Sequence, residues 1–200
     1  MKNRILFLLL LACTLFVAPL SAQTFKLDVD GDAKITGNLY ISNSADNLTS
    51  LYIGKFAGQS DPGTDGLGNV GVGFNALRDV ITGENNTAVG LSTQLQNEEG
   101  VDNTSLGYFA MSNNVSGNSN TAVGANALGF GSQYSLNTAI GAEALFSSST
   151  GSFNTAVGFQ SMKDNTSGDS NAAIGLLSLQ NNTTGKFNTA IGNNALETNT

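Results

Sequence analysis

Residues Asn120 to Leu145 read NTAVGANALGFGSQYSLNTAIGAEAL. The stretch says nearly the same thing twice: Asn120-Thr121-Ala122-Val123-Gly124 returns as Asn137-Thr138-Ala139-Ile140-Gly141. Each phrase is followed, after two intervening residues, by an Ala-Leu pair, Ala127-Leu128 and Ala144-Leu145, and what separates the copies is dissimilar. Working outward, the glycine that ends the phrase recurs as Gly54, Gly73, Gly90, Gly107, Gly124, Gly141, Gly158, Gly175 and Gly192. The first interval is 19 residues and every later one is 17. A fixed period of this kind is the mark of a repeat architecture and takes precedence over any local reading.

The other positions keep the same beat. The residue before each glycine is always branched and aliphatic, from Ile53 and Val72 to Ile174 and Ile191. Four residues before it stand Asn69, Asn86, Asn103, Asn120, Asn137, Asn154, Asn171 and Asn188, with Ser50 in the first, irregular copy. A second glycine follows ten residues later in most copies, as in Gly83, Gly100, Gly117, Gly151, Gly168 and Gly185. Tyr134 takes its place once, and Gly66 fits the first copy if the two extra residues fall within 59–65.

A 17-residue unit is too short for the helical-pair repeats, which need more than about 30 residues, and its Gly, Thr, Val and Ile content opposes helix. Thr-Ala-Val-Gly alternates, as a strand requires, with Thr and Val or Ile on one face and Ala on the other. The Ala-Leu or Ser-Met pairs, such as Ala76-Leu77 and Ser161-Met162, predict a second short strand, and turn-rich runs such as Lys163 to Gly168 predict the bends. The fold class is therefore all-β: a parallel β-solenoid of 17-residue coils, each coil two strands and two bends, stacked at about 4.8 Å.

In such a stack every position becomes a column. Aliphatic columns are expected to bury, at about 1.5 to 3 kcal/mol per side chain, asparagine columns to form amide ladders, and glycine columns to mark positive φ or close backbone approach. The spacers Arg78 to Thr82, Leu95 to Glu99 and Phe146 to Thr150 drift, so they are expected to be solvent-facing and to carry whatever specificity the protein has. A single coil encloses little. The alanine face is expected to lie bare, its small side chains letting several chains pack closely together.

The ends of the chain and its composition bound the function. Lys2 and Arg4 precede an apolar run from Ile5 to Leu20, and Leu20-Ser21-Ala22 is an acceptable cleavage site, so residues 1–22 read as a secretory signal peptide. The run is shorter than the about 20 apolar residues of a membrane span and contains Thr14 and Pro19, so no membrane insertion is expected. It continues apolar past Cys13 to Leu20, where a lipidated mature terminus would already be polar, so lipidation is not expected either. The remaining chain has six basic against fifteen acidic side chains, a net −9, the wrong sign for nucleic acid. It holds no Cys, His or Trp, which removes disulfides, thiol nucleophiles, His-dependent triads and the usual zinc sites.

The phrase Asn-Thr-Ala-Val/Ile-Gly-x-x-Ala/Ser-Leu/Met resembles the head repeats of trimeric autotransporter adhesins, and more closely the repeat regions of tail-fibre-like surface proteins of Gram-negative bacteria. The flank Lys26-Leu27-Asp28-Val29-Asp30-Gly31-Asp32-Ala33-Lys34-Ile35-Thr36-Gly37-Asn38-Leu39-Tyr40-Ile41 is similar to the short segment that leads into such repeats. The resemblance covers residues 26–200 and implies a left-handed β-roll, assembled as a homotrimer and used for attachment. The 17-residue unit is longer than that of the best-known adhesin head, so its bends are not carried over. The organisation expected is a signal peptide (1–22), an N-terminal β lead-in segment (23–49) and a β-roll of nine repeats (50–200). The last repeat stops at Thr200, eight residues past Gly192, and the array is expected to continue in a longer protein.

Sharper motifs do not hold up. Counting from Asp28, an EF-hand loop needs Gly at its sixth position and Glu at its twelfth, where Ala33 and Leu39 stand; Asp28 to Asp32 reads better as an Asp-Gly hairpin turn. Gly63 to Gly68 lacks the Lys and following helix of a phosphate cradle. Glu98-Glu99 with Asp102 offers carboxylates for glycoside hydrolysis, but the group does not recur and sits in a spacer. The threonine file Thr87, Thr104, Thr121, Thr138, Thr155 and Thr189, broken by Ala172, is expected to be a structural ladder rather than an ice-binding face. Triplets such as Asn47-Leu48-Thr49 and Asn165-Thr166-Ser167 follow from Asn, Ser and Thr richness and would be glycosylated only in a eukaryotic host. The expected role is that of a secreted or cell-surface adhesive fibre protein of a Gram-negative bacterium, with itself and an extracellular protein or glycan as partners. No catalytic, cofactor-binding or metal-ligating residue is assigned and no enzymatic activity is expected. The alternatives are a polysaccharide-active or ice-binding β-solenoid, and a phage-type tail fibre, against which the signal peptide argues.

Overall fold

The structure, a computed structural model, describes residues 50–62 and 68–199, all within the second of two compact units, 41–200. The signal peptide, the lead-in segment with its Asp-Gly turn, and Gly66 lie outside the described residues. Nine strands form one parallel sheet in chain order: β1 (Leu51–Ile53), β2 (Val70–Val72), β3 (Thr87–Val89), β4 (Thr104–Leu106), β5 (Thr121–Val123), β6 (Thr138–Ile140), β7 (Thr155–Val157), β8 (Ala172–Ile174) and β9 (Thr189–Ile191). Like residues pair: Thr121 with Thr138, Ala122 with Ala139, Val123 with Ile140. The two-residue insertion of the first copy leaves the columns aligned, since Leu51 pairs with Val70 and Ile53 with Val72. The chain is thus a parallel β-solenoid.

Each coil has one strand, not two. The Ala-Leu segment is a turn in which residues two and four past the glycine take left-handed backbone angles, as Asn126 (φ 56°) and Leu128 (φ 48°) do. The backbone still ladders between coils there: Asn126 N–H donates back to Tyr108 O at 2.9 Å, and Leu128 N–H donates forward to Ala144 O at 3.0 Å. A pleated strand directs all its N–H groups sideways in one regular pattern. The left-handed alternation gives the same satisfaction of backbone polar groups while bending the chain round a narrow bore.

That bore also reverses the expected faces. The alanine at the centre of each strand points inward, and Ala88, Ala122, Ala139, Ala156 and Ala173 are fully buried. Across from them Leu77, Met111, Leu128, Leu145, Met162 and Leu179 fill the interior. One Leu or Met per coil leaves room for only a methyl group on the facing wall. The Val/Ile column is consequently outside, with Ile53, Leu106, Ile140, Ile174 and Ile191 between 41 and 71 % exposed. The expectation of a bare alanine face and buried aliphatic columns is therefore corrected: the strip left bare is the Thr–Val/Ile one.

The asparagine ladder forms as expected. From Asn69 to Asn171 each Oδ1 accepts the backbone N–H of the asparagine in the following coil, Asn86 to Asn188 donating at 2.9 to 3.0 Å. The side-chain amide points back along the stack, as with Asn120 Nδ2 to Asn103 Oδ1 at 3.0 Å, and also reaches the carbonyl of the spacer-glycine position, here Tyr134 O at 2.9 Å. A second, interrupted ladder runs beside the first, where Asn114 donates to Asn97 and Asn182 to Asn165, each at 2.9 Å, and the two share the spacer-glycine carbonyls, Gly117 O accepting from both Asn103 and Asn114.

At the phrase-ending glycines both expected causes apply. Gly124 has φ +132°, and a Cβ there would collide with the backbone of Gly141. Tyr134 stands in the file of spacer glycines, in the coil that carries Gly131 where the preceding coil carries Asn114. Its ring is fully buried and its hydroxyl donates to Leu128 O at 2.7 Å; burial pushes its ionisation well above the ordinary range. The first coil makes a similar exchange. Tyr52 takes the alanine position, and a Cβ on Gly58 or Gly71 would meet its ring; its hydroxyl donates to Asp61 Oδ2 at 2.8 Å.

Candidate interaction surface

The sheet's outer face is built from three columns: the threonines, the Val/Ile/Leu residues, and the residue after each glycine. The threonines Thr104, Thr155 and Thr189 are exposed and Thr87, Thr121 and Thr138 half-buried. The threonines stack in register, Thr104 with Thr121 and Thr121 with Thr138, but none of their hydroxyls is hydrogen-bonded to another described residue, unlike the asparagine amides. The third column adds exposed Phe74, Leu91, Tyr108, Phe159 and Leu176. Lys55, in the first coil, is the only charged side chain in the three columns.

The charges collect on the bends instead. Arg78 pairs with Asp79 at 2.7 Å, Lys163 with Glu143 at 2.7 Å and Lys186 with Asp169 at 2.6 Å. Lys163, with Gln160, holds the Glu143 carboxyl below its ordinary range, and Lys186, with the Ser152 N–H, does the same for Asp169. Being largely exposed, these pairs contribute little to stability. The drifting spacers are not wholly solvent-facing, because each sends one residue inward: Val80, Asn97 and Ser148 are fully buried. Their neighbours Ile81, Thr82, Gln96, Glu99, Ser149 and Thr150 remain exposed.

The acidic candidates are placed without being assembled. Glu99 and Asp102 are exposed and Glu98 is half-buried. The Glu98 backbone carbonyl, by contrast, closes the bend by accepting from Ile81, Thr82 and Gly83 at 2.9 to 3.1 Å. Among the described residues no group of three or more His, Cys, Asp or Glu side chains converges as metal ligands would, and no helix is long and apolar enough to cross a membrane.

One buried polar cluster was not legible as such in the sequence. In the third coil Thr93 and Gln94 replace the Ala-Leu pair, and Ser105 replaces the next strand's alanine. Thr93 and Ser105 hydroxyls lie 2.7 Å apart, and Gln94 Nε2 donates to Ser105 Oγ at 2.9 Å and to Thr87 O at 3.0 Å. Gln94 Oε1 is buried with no partner. The three departures from the repeat were each visible alone; only stacking shows that they meet.

These features define a class by architecture: a charge-poor, one-sided parallel β-solenoid. Comparison with protein-family models, with curated proteins and with solved structures finds no match to this chain.

Proposed function

We propose that this is a secreted, cell-surface structural and adhesive protein. Three copies pack with their sheet faces inward, and the variable bends are presented to an extracellular protein or glycan. One observation carries the reading: a Thr–aliphatic strip runs the length of the sheet, and among the described residues Lys55, beside the first strand, is the one charge on that face. Eight inter-strand steps of about 4.8 Å and a width of roughly 15 Å give a strip of roughly 600 Å², approaching the about 800 Å² that each partner buries in a standard interface. Apolar patches this large mark interaction sites, and a net-acidic chain repels its own copies everywhere except along a strip with almost no charge. The number three, the handedness and the attachment role rest on the repeat resemblance.

The purified chain is expected to run as a trimer in light scattering, and beads coated with it to adhere to glycan- or protein-coated surfaces. A folded chain that stays monomeric at all attainable concentrations would defeat the packing. A second reading has one observation in its favour: free threonine hydroxyls alternating with aliphatic groups on a regular outward face would order water if the strip stayed uncovered. Thermal hysteresis from a monomeric chain would establish that ice-binding role in place of the first.

A further inference from the structure

A fourth column borders the sheet, two residues ahead of each threonine, and its backbone is left-handed throughout. In five coils the position holds glycine or a small polar residue: Gly68, Asn85, Asp102, Ser119 and Ser170. In three it holds a large apolar one instead: Leu136 (φ 60°), Phe153 (φ 59°) and Phe187 (φ 59°). These three are also 50, 60 and 80 % exposed. A bulky side chain in the left-handed region costs about 1 to 2 kcal/mol relative to Gly or Asn, and leaving half or more of it in water recovers only part of what burial would give. Two unfavourable choices combined at one recurring position point to a contact outside the chain.

We propose that Leu136, Phe153 and Phe187 are contact residues for a second copy of this chain, widening the sheet-face interface toward its C-terminal end. The proposal rests on the self-association reading and adds to it where the grip is strongest. The occupant is a copy because the column continues the uncharged strip. From β6 to β9 the bordering column carries no charge at all, so two net-acidic chains meet there without opposing charges to desolvate. In the N-terminal coils the same column holds Asn85, Asp102 and Ser119, side chains that favour water, and the strip is one column narrower.

The test compares the purified chain with the variant Leu136→Asn/Phe153→Asn/Phe187→Asn by sedimentation equilibrium, with circular dichroism melts alongside. Asparagine suits the left-handed backbone, so the melt of each coil stack at equal oligomer occupancy is expected to be unchanged or higher. The self-dissociation constant is expected to rise at least tenfold. A Phe153→Gly/Phe187→Gly variant, which also removes the strain, is expected to weaken association in the same direction. Unchanged association in both variants, with the unsubstituted chain self-associating, overturns the column's role and leaves the sheet-face reading standing. A monomeric unsubstituted chain overturns both.

Discussion

At the residue scale the stack is held by a small set of side chains doing several things at once, and Asn120 is the clearest of them. Its Oδ1 accepts the Asn137 N–H at 3.0 Å, and its Nδ2 serves both Asn103 Oδ1 and Tyr134 O. Substitution by alanine leaves the buried Asn137 N–H and Tyr134 carbonyl without these partners, each costing about 1 to 3 kcal/mol, while Asn103 Oδ1 keeps the backbone N–H of residue 120. Asn120→Ala is therefore expected to lower stability by about 3 kcal/mol or more in urea denaturation. Substituting the exposed Asn118, by contrast, should cost under about 1 kcal/mol, although its Oδ1 accepts the Val101 N–H at 2.7 Å, because water can take over that bond. The asparagine column was legible as a ladder in the sequence because an amide is among the few side chains that bond to a copy of itself. The threonine column, equally regular, stacks in register without its hydroxyls bonding to one another: a hydroxyl on the sheet's outside has water and needs no neighbour.

At the element scale the polar cluster of Thr93, Gln94 and Ser105 divides the interior. Buried apolar residues form one cluster around Ala76, Leu77, Val80 and Ala88, and another from Ala110 to Ala190, with the cluster of hydroxyl and amide groups between them. In a linear array stability is close to a sum of coil and nearest-neighbour contributions, so a weak layer separates opening units. Hydrogen exchange is expected to show the coils N-terminal to Gln94 opening before those C-terminal to Ser105. The variant Thr93→Ala/Gln94→Leu/Ser105→Ala restores the repeat and removes the unpartnered Gln94 Oε1. It is expected to gain about 1 to 3 kcal/mol and to merge the two exchange classes into one. The element the sequence misjudged is the Ala-Leu segment, read as a strand. A recurring apolar pair marks a buried wall but not the sign of φ, and here left-handed turns at Leu128 and its equivalents bury Ala127 and Leu128 side by side, which a pleated strand would send to opposite faces.

At the scale of the whole molecule the period is the constraint. Deleting 17 consecutive residues, such as Asn120 to Leu136, should preserve every column, since Asn137 then takes the place of Asn120. Deleting about 8 leaves one coil roughly half a turn short, so asparagine meets apolar positions across that junction and the coils on its two sides cannot stack in register. The first deletion is expected to yield a folded protein melting within a few degrees of the original, and the second an unfolded or aggregated one, as judged by circular dichroism. Equal tolerance of the two would contradict the columnar stack.

The amino-acid sequence alone determined the 17-residue beat, and with it the parallel in-register sheet, the asparagine ladder and the glycine column, because each is a consequence of like residues falling on like. It also showed that the two faces of the strand differ, alanine on one and threonine with an aliphatic on the other, but its small residues suggest the alanine face as the bare one, the reverse of what the fold builds, because a period of two is symmetric under exchange of sides. Only the tertiary structure settled that, since the bore admits one Leu or Met per coil and leaves the opposite wall space for a methyl group. The Val/Ile and Thr columns were turned outward for want of room, and the candidate interaction surface exists because of it.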